Sequence, residues 1–262
     1  MIELDTIRVV FYPGTPDERV ALDDLSLALA EGSFTVVVGT NGAGKSTLLN
    51  VLAGVIRPQA GRVVIDGVDV SAWPVHQRAA LISRVFQDPM LGTAPALSIE
   101  ENLALAAMRG KRRGLRMALN GERRARFRDL LASFGLGLET RMGARAGLLS
   151  GGQRQVLALV MATLSRPRVL LLDEHTAALD PRTAQLVMDA TRRLVAEHEL
   201  TTLMITHNMG HAIDYGNRLL MMEAGKIKLD IDAAEKGRLT IQDIVRRFGQ
   251  ANDEILLQSA TA

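Results

Sequence analysis

The run Gly39-Thr40-Asn41-Gly42-Ala43-Gly44-Lys45-Ser46-Thr47 fits the pattern G-x-x-x-x-G-K-[ST]. Glycines let the backbone curl so that successive N–H groups face phosphate oxygens, and a following helix adds the partial positive charge of its N-terminus. Lys45 is expected to reach the β- and γ-phosphates of a nucleotide, and the Ser46 hydroxyl to ligate Mg²⁺. Leu171-Leu172-Asp173-Glu174 places two carboxylates at the end of an apolar run. Asp173 would hold the hydration shell of Mg²⁺, a hard cation that keeps most of its waters. Glu174 would face the attacking water as general base or water-positioner. The plain alternative is an acidic pair capping the next helix.

Ser150-Gly151-Gly152-Gln153 is a different kind of signal. A hydroxyl and two glycines at a helix start make a second anion-binding surface. One chain with one phosphate loop has no obvious need of two such surfaces. Two chains head-to-tail do, if each caps the other's γ-phosphate. Gln87 is chemically quiet, and only its order in the chain promotes it. His207, at the end of the run 201–206, is either structural or placed to bind the γ-phosphate and orient water.

These groups need a scaffold that brings strand ends together. Ser33–Val38 is an apolar, β-branched run ending at a glycine, as in a buried parallel strand, and Ser46–Ala53 carries a helical pattern. Gly61–Val70 reads as two strands around the turn Asp66-Gly67. Val85-Phe86 ends a strand and Gln87–Leu97 is a loop. From Ser98 to Arg166 helical patterns take over, as in an inserted helical subdomain. Val169–Leu172 and Thr201–Ile205 restore strands, and Pro181 sits where a helix N1 proline would. Strands alternating with helices imply a largely parallel sheet whose ligands sit at the carboxyl ends of the strands. Ile241, Ile244, Val245 and Phe248 form the stripe of a C-terminal helix.

Composition narrows the class. The chain of 262 residues is 47% hydrophobic but only 3% aromatic, so its core is aliphatic. There is no cysteine, hence no disulfide or thiolate chemistry. No apolar run approaches the ~18 residues that cross a bilayer, and the start lacks a signal-peptide pattern. The net charge of +2 is unevenly spread: between Arg109 and Arg128 nine Lys/Arg face one acid, Glu122. Such local basicity argues against a nucleic-acid binder with a broad basic face. The run is either a solvated helix face or a contact for anionic lipid or a partner's loop.

With these motifs in this order, the chain resembles the ATP-binding subunits of ABC transporters over roughly residues 4–230. The fold this implies is α/β: a P-loop NTPase core of the ABC type with a mostly parallel sheet, an N-terminal antiparallel β subdomain and an inserted helical subdomain. The ATP-binding domain would span 1–238, with its helical part at about 88–167, and a C-terminal helix and tail 239–262. By the same resemblance Gln87 is the lid glutamine that senses Mg²⁺ and the permease, Asp180 the dimer-contact aspartate and His207 the switch histidine. Phe11 falls where an aromatic stacks on adenine, with Tyr12 as the neighbouring alternative. Implied ligands are ATP and Mg²⁺. Implied partners are a second copy, integral membrane permease subunits and, indirectly, an extracytoplasmic binding protein, with no nucleic acid. The implied location is the cytoplasmic face of the inner membrane.

Phe11–Thr15, Arg84–Pro95, Gly110–Gly114 and Asp173–Asp180 are similar to the ATPases of bacterial tryptophan and tyrosine importers. His175 departs from the proline common elsewhere in the family but agrees with this group, whereas Val9 and Val10 replace its usual Lys-Thr pair. The activity implied is ATP hydrolysis by a head-to-tail dimer that powers amino-acid import. An exporter ATPase and a non-transport assembly or mechanical ATPase are the alternatives.

Overall fold

The computed structural model describes residues 1–111, 118–240, 242–244 and 246–247. In chain order its elements are β1 (Ile2–Phe11), β2 (Arg19–Leu29), β3 (Phe34–Gly39), α1 (Lys45–Ala53), β4 (Ala60–Ile65), β5 (Val68–Asp69), α2 (Val75–Arg78), β6 (Ile82–Val85), α3 (Ile99–Ala107) and α4 (Gly121–Ala132). There follow α5 (Gly151–Thr163), β7 (Val169–Asp173), α6 (Pro181–Glu197), β8 (Thr201–Ile205), α7 (Met209–Asp214), β9 (Arg218–Glu223), β10 (Lys226–Ile231) and α8 (Ala233–Lys236). Single 3-10 turns at Leu138–Thr140 and Ala146–Leu148 precede α5. The chain divides into two compact units, residues 1–72 with the chain from 203 onward, and residues 73–202.

The first unit holds an antiparallel sheet of order β2-β1-β4-β5. Burial alternates along β1, so Ile2, Leu4, Ile7 and Val9 face the core while their neighbours face outward. The register with β2 shifts between Leu4 and Ile7, where Thr6 takes a positive φ of 47°, the mark of a bulge that re-aims the strand. A second set of strands runs β10-β9-β3, and residues 203–205 of β8 belong to this unit. β3 pairs parallel with β9, and β9 turns back into β10 through Ala224-Gly225, both at positive φ as a tight hairpin requires. Phe34 to Val38 are buried without alternation, as a parallel strand covered on both faces should be.

In the second unit β6 pairs parallel with β7, Arg84 standing beside Leu171. Residues 169–172 of β7 are wholly buried. α5 packs against α6 and against β6, and Val156, Leu157, Val160, Val187 and Leu194 on the two helices are buried. Between 98 and 166 no strand occurs among the described residues. Helix boundaries follow local chemistry: Ser98 and Glu101 form a capping box at α3, Asn120 caps α4, and Asp180 with Pro181 opens α6. The α/β class with mostly parallel strands and an N-terminal antiparallel sheet is therefore as the sequence led us to expect. β1, β2, β9 and β10 were less legible, because their one-sided burial and bulges dilute the apolar run. Of the expected C-terminal stripe, Ile244 is buried, while Ile241, Val245 and Phe248 lie outside the described residues, as does 249–262 of the tail.

Candidate active site

Gly39 closes β3 and the loop then curls back before α1. A side chain at Gly44 is excluded twice, by a φ of 99° and by the carbonyl of Ala21, which would lie 2.4 Å from a Cβ. The loop is braced from outside: Gly225 N–H donates to Ala43 O at 3.1 Å and the Arg19 guanidinium to Gly42 O at 3.1 Å. Lys45 is buried, and its ammonium donates to the carbonyls of Gly39 (2.7 Å) and Thr40 (2.9 Å), inside the curl it belongs to. No side chain caps α1, whose first turn begins at Lys45, Ser46 and Thr47; Ser46 is exposed. Thr40, Asn41 and Gly42 are exposed and Ala43 is buried. A curled loop with a cation inside it and an uncapped helix start is suited to bind phosphate.

Two more expected residues lie in this first unit. His207 is exposed directly after β8, and Asn208 caps α7 by accepting from His211 N–H at 3.1 Å. Burial pushes the His211 imidazole below its usual range; Asp214 opposes the shift and His207 adds to it. Phe11 ends β1 at 36% exposure, and Tyr12 beside it is 69% exposed, so both aromatic candidates stay on the surface.

In the second unit Asp173 ends β7 and pairs with Arg84 of β6, Nη2 to Oδ2 at 2.5 Å, the two side chains being only 16% and 15% exposed. The Arg84 guanidinium also lies over the Phe86 ring, 4.8 Å from its centroid. Glu174 takes a left-handed φ of 44°, a conformation that a non-glycine residue adopts at a cost, and its carbonyl accepts from Ala177 N–H. His175 is buried with Nε2 3.0 Å from Thr191 Oγ1. The Thr191 hydroxyl donates to Val187 O at 2.8 Å, so the imidazole must be the donor to Thr191. His175 therefore anchors the exit of β7 to α6.

Gln87 is exposed at the start of the loop 87–97. That loop is clasped from behind by buried Asn102, which accepts from Ala94 N–H and donates to the carbonyls of Ala94, Leu97 and Ser98.

Ser150 caps α5: its Oγ accepts from Gln153 N–H at 3.3 Å while Gln153 Oε1 accepts from Ser150 N–H at 3.2 Å. Gly151 is exposed. Gly152 is buried for a packing reason, since a Cβ there would lie 2.1 Å from Thr183 Cγ2. Asp180 caps α6 by accepting from Thr183 N–H at 3.1 Å, and these Thr183 hydrogen bonds hold its carboxyl below the usual range. The one residue Thr183 thus meets both the glycine of the first helix start and the aspartate of the second.

Arg84, Arg154 and Gln155 were not singled out from the sequence. Arg154 donates to the carbonyls of Ala146, Gly147 and Leu149, fixing the turn before Ser150. The available signal for Gln155 was a polar residue at the edge of the apolar run 156–162. Part of the basic run serves internal bonds: Arg109 donates to Ser83 and Arg124 is bidentate to Glu100. Arg112, Arg113 and Arg116 lie outside the described residues.

A phosphate-cradling loop between β3 and α1 on an α/β scaffold defines a P-loop nucleotide-hydrolysing enzyme. The family described as ABC transporter matches residues 22–177, and the chain belongs to that family as an ATP-binding ATPase. It is 39% identical over 251 residues to the tyrosine transport ATP-binding protein of Clostridioides difficile (strain R20291), covering 96% of this chain and 100% of that one. It is 37% identical to the aliphatic sulfonates import ATP-binding protein SsuB of Escherichia coli, over 82% of this chain and 76% of the relative. An ATP-dependent lipid A-core flippase of Xanthomonas is 36% identical, but this chain spans only 35% of it. Among solved structures, a dimeric ATP-binding cassette in a post-hydrolysis state with ADP and Pi superposes with a TM-score of 0.76 at 29% identity, over 89% of this chain and 99% of that one.

Proposed function

We propose that this transport ATPase works as a head-to-tail pair of identical chains that powers import of an amino acid such as tyrosine or tryptophan through a partner permease. The observation that carries the solute class is the end-to-end match to the tyrosine transport ATP-binding protein. The pair is supported by the dimeric cassette of the same fold. No helix among the described residues is long and apolar enough to cross a membrane. The chain would sit on the cytoplasmic face of the inner membrane, and an extracytoplasmic binding protein would deliver solute to the permease.

In this reading Phe11, with Tyr12 beside it, stacks on adenine. The loop Gly39–Thr47 wraps the phosphates with its N–H groups and Lys45 turns its ammonium onto the β- and γ-phosphates. Ser46, Asp173 and Gln87 would hold Mg²⁺; hydroxyl, carboxylate and amide oxygens are the hard donors that this ion takes. When bound, Mg²⁺ neutralises charge on the β- and γ-oxygens. Glu174 orients and deprotonates the attacking water, and His207 contacts the γ-phosphate. The helix start Ser150-Gly151-Gly152-Gln153 of one chain caps the γ-phosphate held by the other, with Asp180 at the contact. Hydrolysis then depends on closure, because the donors that stabilise the transferring phosphoryl group come from two chains.

Two measurements test this. Glu174→Gln should retain ATP, accumulate closed dimers and lose turnover; unchanged hydrolysis removes Glu174 from the mechanism. Uptake of labelled tyrosine and tryptophan should fall in cells lacking the chain and return with the wild type but not with Glu174→Gln. Uptake indifferent to the chain, or ATP-driven efflux instead, would reject amino-acid import.

A further inference from the structure

The geometry points to Arg84 as a counter-ion of Asp173 that competes with Mg²⁺ for the carboxylate and so weakens the metal's hold. This rests on the assignment of Asp173 to Mg²⁺ made above.

Arg84 and Asp173 are placed together by the sheet. In the parallel register of β6 and β7, Arg84 stands beside Leu171. Asp173, two residues further along, projects from the same face as Leu171. Phe86, two residues beyond Arg84 and just past β6, carries the guanidinium on its ring. Arginine suits this position because its charge is planar, delocalised and weakly hydrated, so it stacks as well as it pairs. The pair is largely buried, and a carboxylate there without a partner would be costly. Arg84 supplies the partner whenever the metal does not.

The sign of the effect on the metal follows from charge. A neutral or anionic group behind a metal ligand orients it and raises its basicity. A guanidinium draws the carboxylate's charge to itself and repels a second cation. Removing it must therefore tighten metal binding, the opposite of what removal of an ordinary supporting group does. Arg84 would therefore keep the protein's own hold on the metal weak when no nucleotide contributes ligands.

The test uses Mn²⁺ as the probe, its binding to the full chain with ADP followed by electron paramagnetic resonance. Arg84→Met keeps the length and the contact with Phe86 but removes the charge. It should lower the Mn²⁺ dissociation constant about tenfold or more. It should also lower the melting temperature of the nucleotide-free protein, by an amount that Mn²⁺ with ADP largely restores. Arg84→Lys keeps the charge and should hold Mn²⁺ affinity near wild type. Arg84→Gln gives the same reading if the Met variant is insoluble. Unchanged or weaker Mn²⁺ binding in the charge-free variants overturns the proposal. Asp173→Asn separates the two levels. If it leaves Mn²⁺ affinity unchanged, the metal assignment itself is wrong. If it weakens Mn²⁺ while Arg84→Met does not tighten it, only the competing role of Arg84 fails.

Discussion

The Nε2 of Gln155 donates to the carbonyl of Phe86 at 3.2 Å, tying the first turns of α5 to the residue before Gln87. Gln155 is buried, and its Oε1 has no partner among the described residues. Replacing it by Met would lose one hydrogen bond and also remove one unmet acceptor. These effects are each about 1–3 kcal/mol and of opposite sign. Gln155→Met should therefore change the unfolding free energy by less than ~1 kcal/mol. If the tie positions Gln87, kcat should nevertheless fall several-fold. Denaturant titration beside steady-state hydrolysis checks this; equal kcat would confine Gln155 to packing.

Ser150 has two duties that substitution can separate. As the N-cap of α5 it accepts from Gln153 N–H, so Ser150→Ala should cost roughly 0.5–2 kcal/mol in stability. Aspartate caps as well as serine but adds a negative charge where the partner's γ-phosphate is expected. Ser150→Asp should melt like wild type, bind ATP as a monomer and fail to close or hydrolyse. Size-exclusion chromatography of the Glu174→Gln background, with and without Ser150→Asp, reads closure directly.

Gly152 tests the packing of α5 on α6. A Cβ would lie 2.1 Å from Thr183 Cγ2, so something must shift. Gly152→Ala should cost about 1–3 kcal/mol, the usual range for overpacking. Thr183→Ser removes the offending methyl and keeps the backbone N–H that Asp180 uses. The double variant should recover most of the loss, giving a coupling energy within the ~0.5–3 kcal/mol seen for residues in contact. Additive losses in thermal or denaturant melts would contradict the contact.

Lys236 carries a pH signature. It is buried on α8, and its ammonium donates to the carbonyls of Tyr215 and Gly216. Burial pushes it down from 10.5 to about 8, with Asp214 pulling the other way. Between those two pH values the unfolded chain holds a proton that the folded chain has released, so stability must rise with pH across that window. Measured against Lys236→Met, the wild type should gain unfolding free energy from pH 8 to 10.5. A flat difference would mean that the ammonium stays charged in its carbonyl cradle.

The motifs legible in the sequence are those whose parts are adjacent in the chain. The curl at Gly39–Thr47 depends on glycine backbones, the caps at Ser150 and Asp180 on a side chain reaching three residues ahead, and the burial of β3 and β7 on short apolar runs. Each of these is local physics, so one stretch of residues suffices to predict it. The strands of the antiparallel sheet were harder to read. Their burial is one-sided, and a bulge at Thr6 breaks the alternation on which periodicity depends.

By itself, then, the sequence determined that the chain is an α/β ATPase and singled out the residues proposed for phosphate and carboxylate chemistry. Only the tertiary structure decided what surrounds them. Arg84 meets Asp173 from 89 residues away, and Gln155 meets Phe86 from 69. Gly152 is required by Thr183, and His175 is held by Thr191. No residue type announces such partners, because they are chosen by strand register and helix packing, and those are fixed by the whole core at once.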